Sequence, residues 1–149
     1  MISVKKTNAT DIDFNALVQA LDDDLKIRDG DDHFIYAQFN TTNTLHHAVV
    51  LYFNNQPVGC GALRQYSADT MEIKRVFVYA AYRKKGLASI ILNELENWCK
   101  ELHFNNCILE TGKNQPEAIN LYKKLNYNLV PNFGKYIDNY NSVCFKKVL

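Results

Sequence analysis

The feature that most constrains the fold is an apolar strand that leads through a short basic loop directly into a long helix. Residues 76–79 are apolar, β-branched or aromatic, and the following loop carries Arg83, Lys84 and Lys85. Over residues 87–102, apolar side chains recur at helical spacing, which predicts a helix with one face in the core. A strand joined to a helix in this way is typical of a sheet with helices packed on its faces.

The start of this helix is suited to bind an anion. The first turn of a helix leaves backbone N–H groups unpaired, and the helix dipole favours negative charge there. Gly86 and Ala88 keep the turn free of bulky side chains, and the three cations lie beside it. The pattern predicts a diphosphate site, although a solvated basic turn is also compatible with it. The spacings GxxxxGK[ST] and GxGxxG are absent, which excludes a nucleotide P-loop and a dinucleotide fingerprint.

Hydrophobic patterning elsewhere predicts the element order β α α β β β α β α β β, which indicates an α/β fold with a mixed sheet. The predicted strands span residues 2–6, 48–53, 58–65, 71–79, 107–109, 128–130 and 142–148. The first predicted helix has its cap at residue 10 or 11. The other predicted helices span residues 34–39, 87–102 and 116–125. Asn54-Asn55 indicates a hairpin turn, and Asn126 is suited to a left-handed helix end.

The first helix is followed by an unusually acidic segment. Thr10 or Asp11 is positioned to cap this helix, and residues 22–32 carry six aspartates, which predicts a turn. These acids are suited either to attract a cationic molecule or simply to face solvent. The predicted buried face of the helix consists of Ile12, Leu17, Val18 and Leu21.

Composition bounds the class of protein. The 149 residues suit one domain spanning 1–149, and the net charge of +1 does not indicate a nucleic-acid or membrane partner. The charge is uneven: residues 1–40 carry a net −4 and residues 41–149 a net +5, so the second part is the better place for an anionic ligand. No signal-peptide pattern opens the chain, and we expect a cytoplasmic protein with free thiols and no metal. The four cysteines, none in CxxC spacing, are Cys60, Cys99, Cys107 and Cys144.

Two groups of motifs resemble the GCN5-related N-acetyltransferase (GNAT) superfamily. Arg83, Gly86 and Ala88 match its Gln/Arg-x-x-Gly-x-Gly/Ala signature in the same strand–loop–helix setting. Residues 72–78 resemble the family's fourth strand, and residues 109–125 its second half. The resemblance implies a mostly antiparallel sheet of six or seven strands, splayed between strands 4 and 5, with about four helices. Asn126 departs from the family's usual glycine.

The resemblance implies acetyl-coenzyme A as co-substrate and an amine as acceptor. In the family, the diphosphate lies on the loop and helix start, and the pantetheine arm pairs with the backbone of the fourth strand. An asparagine before the last helix often contacts the coenzyme; Asn114 and Gln115 lie there, and either is also suited to cap the helix. The implied coenzyme contacts are Val76, Phe77, Val78, Arg83, Lys84, Lys85, Gly86, Leu87, Ala88, Asn114, Gln115 and Tyr122.

Two residues are candidates for proton transfer. Tyr122 occupies the position where the family often places a tyrosine near the coenzyme sulfur, and its phenol would protonate the leaving thiolate. Spacing alone favours a core aromatic at Tyr122, and the acid role is what the resemblance implies. Glu72 occupies a position where some members carry the base that receives the amine proton, and its alternative is a solvated strand residue. Lys74 and Arg75 either hold Glu72 ionised or face solvent.

Three functions are compatible with these residues. The first is acetyl transfer to an amine by direct attack in a ternary complex. The second is a non-catalytic acyl-coenzyme A-binding sensor. The third, a nucleic-acid module, is disfavoured because no Lys/Arg run with interleaved aromatics is present. The acceptor stays open, and many relatives form homodimers. The late aromatic residues Phe133, Tyr136 and Tyr140 either line the acceptor pocket or cover the core.

Overall fold

The computed structural model describes residues 1–29 and 45–149. It contains seven strands: β1 Ile2–Thr7, β2 His47–Phe53, β3 Gln56–Gln65, β4 Thr70–Val78, β5 Asn106–Gly112, β6 Asn128–Val130 and β7 Ser142–Val148. Three α-helices lie in this described part: α1 Ile12–Asp29, α2 Leu87–Glu101 and α3 Pro116–Lys124. The predicted helix at 34–39 lies outside the described residues, as do Asp31 and Asp32.

The seven strands form one mixed sheet in the order β1-β2-β3-β4-β5-β7-β6. All neighbours pair antiparallel except β4 and β5, which are parallel. The predicted mixed, mostly antiparallel sheet is therefore confirmed. Asn54 and Asn55 make the β2–β3 turn with φ of 49° and 68°. This is expected because asparagine tolerates the left-handed backbone conformation.

Helices cover both faces of the sheet. Helices α2 and α3 contribute to one core cluster, and α1 packs on the other cluster with Ala48, Val50 and Cys60. Gly59 and Gly61 allow α2 to lie close to the sheet, because a Cβ built on either would lie 2.8 Å from Ile91 or Leu95. The register of the sheet decides which side chains of β4 face each helix layer, and this positions the site.

Helix α1 corrects two predictions. The acidic turn predicted for residues 22–32 was wrong at least to Asp29, because α1 continues through it. Ile12 was wrongly placed on the buried face, and is 84% exposed. Asp11 is the cap, since its Oδ1 accepts a hydrogen bond from the Phe14 N–H at 2.9 Å. The buried stripe of α1 consists of Phe14, Leu17, Val18, Leu21 and Leu25.

Two acids of α1 contact cations that are distant in the sequence. Asp22 Oδ1 lies 2.6 Å from the Arg75 guanidinium, whose side chain is only 4% exposed. Asp24 lies 3.7 Å from Arg83. The acidic first part and the basic second part of the chain are therefore in contact, and α1 is fixed against the end of β4.

We expect Asp22→Asn to lower the free energy of unfolding by about 1–3 kcal/mol, because it leaves the buried Arg75 cation without its carboxylate partner. Urea denaturation followed by circular dichroism measures the change. Asp23→Asn is the matched control, because Asp23 lies on the exposed helix surface, where it accepts a hydrogen bond from Gln19. Equal stability of the two variants would show that the Arg75–Asp22 pair does not hold α1 in place.

Candidate active site

The site lies where β4 and β5 diverge. These strands pair only from Thr70–Ile73 to Asn106–Leu109. Beyond this point β5 continues along β7 to Gly112, and β4 continues along β3 to Val78. The backbone edge of residues 76–78 is therefore left uncovered by β5.

A bulge in β4 accompanies the divergence. The β3–β4 register shifts between Cys60 and Ala62, and Arg75 has a φ of 61°, a left-handed conformation that is uncommon for a residue other than glycine. The Cys60 thiol donates to the Arg75 carbonyl at 3.3 Å. Burial raises the pKa of the Cys60 thiol to about 12, so this residue is a protonated core side chain rather than a nucleophile.

A cavity of about 90 Å³ occupies the space between the diverging strands. Its walls come from β4, β5, α3, α1 and the loop before β7, so five separate segments meet there. The cavity brings together four of the predicted site residues: Glu72 and Val76 on β4, Gln115 before α3 and Tyr122 on α3. Asn114 is exposed, and it is not among the residues that line the cavity.

The basic loop has the geometry of an open helix start. Gly86 is the N-cap of α2, with a φ of 77° that favours glycine. A Cβ built on Gly86 would meet nothing within 4 Å, so the space in front of the helix is open. Lys84 and Lys85 are exposed beside it, and Leu87 is buried and fixes the helix to the core.

Arg83 is directed to the end of β4. Its Nε donates to the Val78 carbonyl at 2.8 Å, and its guanidinium lies 5.5 Å from the centre of the Phe77 ring. The ion pair with Asp24 completes its contacts. In this conformation Arg83 holds β4, the loop and α1 together, while Lys84 and Lys85 are the cations that project to solvent.

Tyr122 is buried against the core but reaches the cavity wall. Its ring packs against Tyr127 and Phe145, with centroids 5.8 and 5.9 Å apart. Burial raises the pKa of the Tyr122 phenol, and the charge of Glu110 acts in the same direction. The phenol is therefore protonated at neutral pH and able to donate a proton.

Glu72 belongs to a buried polar network rather than to a solvated strand. Its Oε2 accepts a hydrogen bond from the Tyr136 hydroxyl at 2.8 Å, and Lys74 Nζ lies 3.5 Å from the same oxygen. Lys74 also donates to the Tyr136 hydroxyl at 3.0 Å. Burial lowers the pKa of Lys74, while burial and the Glu72 charge raise the pKa of Tyr136. Lys74 contacts Glu72 and Arg75 contacts Asp22, so neither faces solvent.

Tyr136 is one of the three late aromatic residues named from the sequence, and the structure brings it to Glu72, a contact that the sequence did not predict. It lies in a 3-10 turn, Gly134–Tyr136, in the loop before β7. Phe133 packs edge-on against Tyr136 at 5.5 Å, so Phe133 and Tyr136 form part of a pocket, whereas Tyr140 is 75% exposed. Aromatic residues in a late loop were the available signal, but the 64 residues that separate Tyr136 from Glu72 hid their contact.

The family model described as Acetyltransferase (GNAT) family matches residues 14–127. The chain belongs to the GNAT acetyltransferase family. This GNAT protein is 32% identical over 94 residues to the uncharacterized protein YyaT of Bacillus subtilis (strain 168). That match covers 63% of this chain and 61% of the relative, so it spans about three fifths of the relative's length.

Solved structures show the same fold over the whole of this GNAT protein. A Klebsiella pneumoniae protein assigned as an acyl-CoA N-acyltransferase is 27% identical, with a TM-score of 0.83 and coverage of 100% of this chain and 98% of that one. A GNAT family acetyltransferase from Elizabethkingia anophelis, solved with acetyl-CoA bound, is 18% identical with a TM-score of 0.72, and the match covers 99% and 98% of the two chains.

His47 of this GNAT protein does not line the cavity. His47 packs edge-on against Trp98 with ring centroids 4.9 Å apart. Within residues 1–29 and 45–149, no group of three or more His, Cys, Asp or Glu side chains is arranged to hold a metal ion. None of the helices found there combines the length and hydropathy needed to cross a membrane. His33 lies outside the described part of the chain.

Proposed function

We propose that this GNAT protein transfers an acetyl group from acetyl-coenzyme A to an amine by direct attack in a ternary complex. The observation that carries the proposal is the divergence of β4 and β5 over a cavity whose walls contain both Glu72 and Tyr122. Family membership and the acetyl-CoA bound to the Elizabethkingia relative support the same donor.

The residues of the cleft fit the coenzyme. The open space in front of Gly86 and the free amides of the first turn of α2 suit a diphosphate, and Lys84 and Lys85 add positive charge. The uncovered edge of residues 76–78 offers backbone groups to an extended amide-containing arm. To reach the diphosphate, Arg83 has to break its hydrogen bond to the Val78 carbonyl. In the conformation described, Arg83 therefore supports the loop.

Acetyl-coenzyme A supplies a thioester, from which an attacking amine takes the acetyl group. Glu72 receives the proton of the acceptor ammonium, directly or through the Tyr136 hydroxyl that bonds to it. Tyr122 donates its phenolic proton to the departing sulfur, and the second proton that the attacking nitrogen loses on forming the amide returns to Tyr122 through solvent. The net result is an amide, a free thiol and one proton released. Glu72 is assigned to the proton of the acceptor nitrogen, and Tyr122 to the proton of the leaving sulfur.

An assay of free thiol release from acetyl-coenzyme A over a panel of amines tests the proposal. We expect amine-dependent release, with one acetylated amine formed for each thiol. Coenzyme binding without release for every amine, measured by calorimetry on the same preparation, would instead support a non-catalytic sensor.

We expect Glu72→Gln to lower kcat about 10- to 100-fold at neutral pH, because the acceptor ammonium loses its nearby proton acceptor. The deficit should shrink as pH rises, since the free amine then forms in solution. Rates from pH 6 to 10 measure this dependence. Glu117→Gln on the exposed first turn of α3 is the matched control. A deficit that is constant with pH would remove Glu72 from proton transfer.

A further inference from the structure

A second cavity, of about 250 Å³, shares the hydrogen-bonded pair Glu72 and Tyr136 with the first. Glu72 and Tyr136 line both cavities, whereas Tyr122 lines only the first. A molecule in the second cavity therefore reaches Glu72 and Tyr136 without occupying the space beside Tyr122. This placement suits an acceptor, because its nitrogen would meet the proton acceptor on the way to the thioester.

The second cavity is positively charged. Its lining contains two cations, Arg64 and Lys135, and one acid, Glu72. Glu72 is already bonded to Tyr136 and lies 3.5 Å from Lys74. Within the described part of the chain, Arg64 takes part in no ion pair. A polycation would therefore meet net repulsion here, while an anionic group would be attracted.

The spacing of these charges is set by the sheet. Arg64 on β3 is the direct cross-strand partner of Glu72 on β4. Directly opposed residues of an antiparallel pair share one face, with Cβ atoms about 5 Å apart. A positive and a negative side chain thus stand side by side at the base of the cavity. This separation suits a small molecule that carries an ammonium and a carboxylate on the same carbon.

Tyr66, Phe133 and Tyr136 contribute aromatic rings to the wall. Tyr66 packs edge-on against Phe133 at 5.3 Å, and Phe133 packs edge-on against Tyr136 at 5.5 Å. Such rings offer an apolar surface to the body of a ligand whose charged ends are held elsewhere.

We propose that the second cavity binds the acceptor, and that the acceptor is a zwitterionic amine of the α-amino acid type with an apolar side chain. This inference rests on the proposed acetyl transfer. Its ammonium lies towards Glu72 and Tyr136, its carboxylate towards Arg64 and Lys135, and its side chain against Tyr66 and Phe133.

Matched acceptor pairs test the inference: phenylalanine with phenethylamine, and methionine with 3-(methylthio)propylamine, each alongside spermidine. We expect the enzyme to prefer the carboxylate member of each pair by about 10-fold or more in kcat/KM, as one charge-assisted hydrogen bond provides. Arg64→Gln should raise the KM for phenylalanine about 10-fold and reduce the preference by the same factor, with the KM for acetyl-coenzyme A unchanged. Lys100→Gln, an exposed cation on α2, is the control.

Two outcomes separate this inference from the proposed function. Faster acetylation of spermidine or of the decarboxylated amines would overturn the zwitterion assignment while leaving acetyl transfer intact. If no amine is acetylated, calorimetric titration of phenylalanine into the coenzyme-saturated protein decides the matter. Binding that Arg64→Gln weakens about 10-fold supports the cavity assignment, and binding that is absent or unaffected by Arg64→Gln overturns it.

Discussion

Gly86→Glu is expected to weaken coenzyme A binding about 100-fold or more. The new carboxylate projects into the open space in front of α2, where it meets the diphosphate and competes for the free amides of the first helical turn. A 100-fold loss corresponds to about 2.7 kcal/mol, which is within the range of one like-charge contact near a protein surface. Isothermal titration calorimetry with coenzyme A measures the loss directly.

Two controls separate this charge effect from backbone strain. Gly86→Ala retains the φ of 77° with only a methyl group, so its cost is mainly about 1–2 kcal/mol of stability. Asn126→Glu places the same acid at an exposed left-handed position, φ 72°, at the end of α3. Both should bind coenzyme A within a few-fold of the parent protein. Unchanged affinity in Gly86→Glu would place the diphosphate elsewhere on the molecule.

Local signals explain why much of the fold was predictable. The apolar repeat of α2 depends on neighbours within the same segment, and the observed helix, Leu87–Glu101, ends one residue before the predicted end. The Asn54-Asn55 turn and the left-handed Asn126 follow from the same local chemistry. Strand β5 is longer than the apolar run 107–109 suggests, because its polar ends pair with β7.

Long-range contacts explain what the sequence did not reveal. The acids of α1 suggested a turn because their partner, Arg75, lies 53 residues away from Asp22. Glu72 suggested a strand residue open to solvent because Tyr136 comes from a loop without a distinctive pattern. In both cases a charged side chain has a partner that is far away in the sequence, so a local sequence pattern does not reveal the contact. The helix start at Arg83–Ala88 was predictable because its open amides belong to the backbone of one segment, whereas its binding of a diphosphate stays a prediction.

Tyr122→Phe is expected to lower kcat about 100-fold or more while coenzyme affinity stays within two-fold. The substitution removes the one group we assign to protonate the leaving thiolate, and general acids contribute on the order of 10²–10⁴ in rate. The ring contacts with Tyr127 and Phe145 remain, so the core should keep its packing. Since burial raises the pKa of Tyr122, the parent enzyme should show no alkaline loss from this phenol below about pH 10.

Tyr127→Phe provides a matched control in the same aromatic cluster. The Tyr127 hydroxyl donates to Glu96 at 2.8 Å, in a buried network with Lys147, and not into the cavity. Its loss should reduce stability by about 1 kcal/mol, the usual net value of a hydrogen bond, and leave kcat unchanged. Tyr122→Phe should show the opposite pattern, with kcat reduced and stability retained. If Tyr122→Phe turned over at the parent rate with an accepted amine, Tyr122 would be a packing residue and the thiolate would take its proton from solvent.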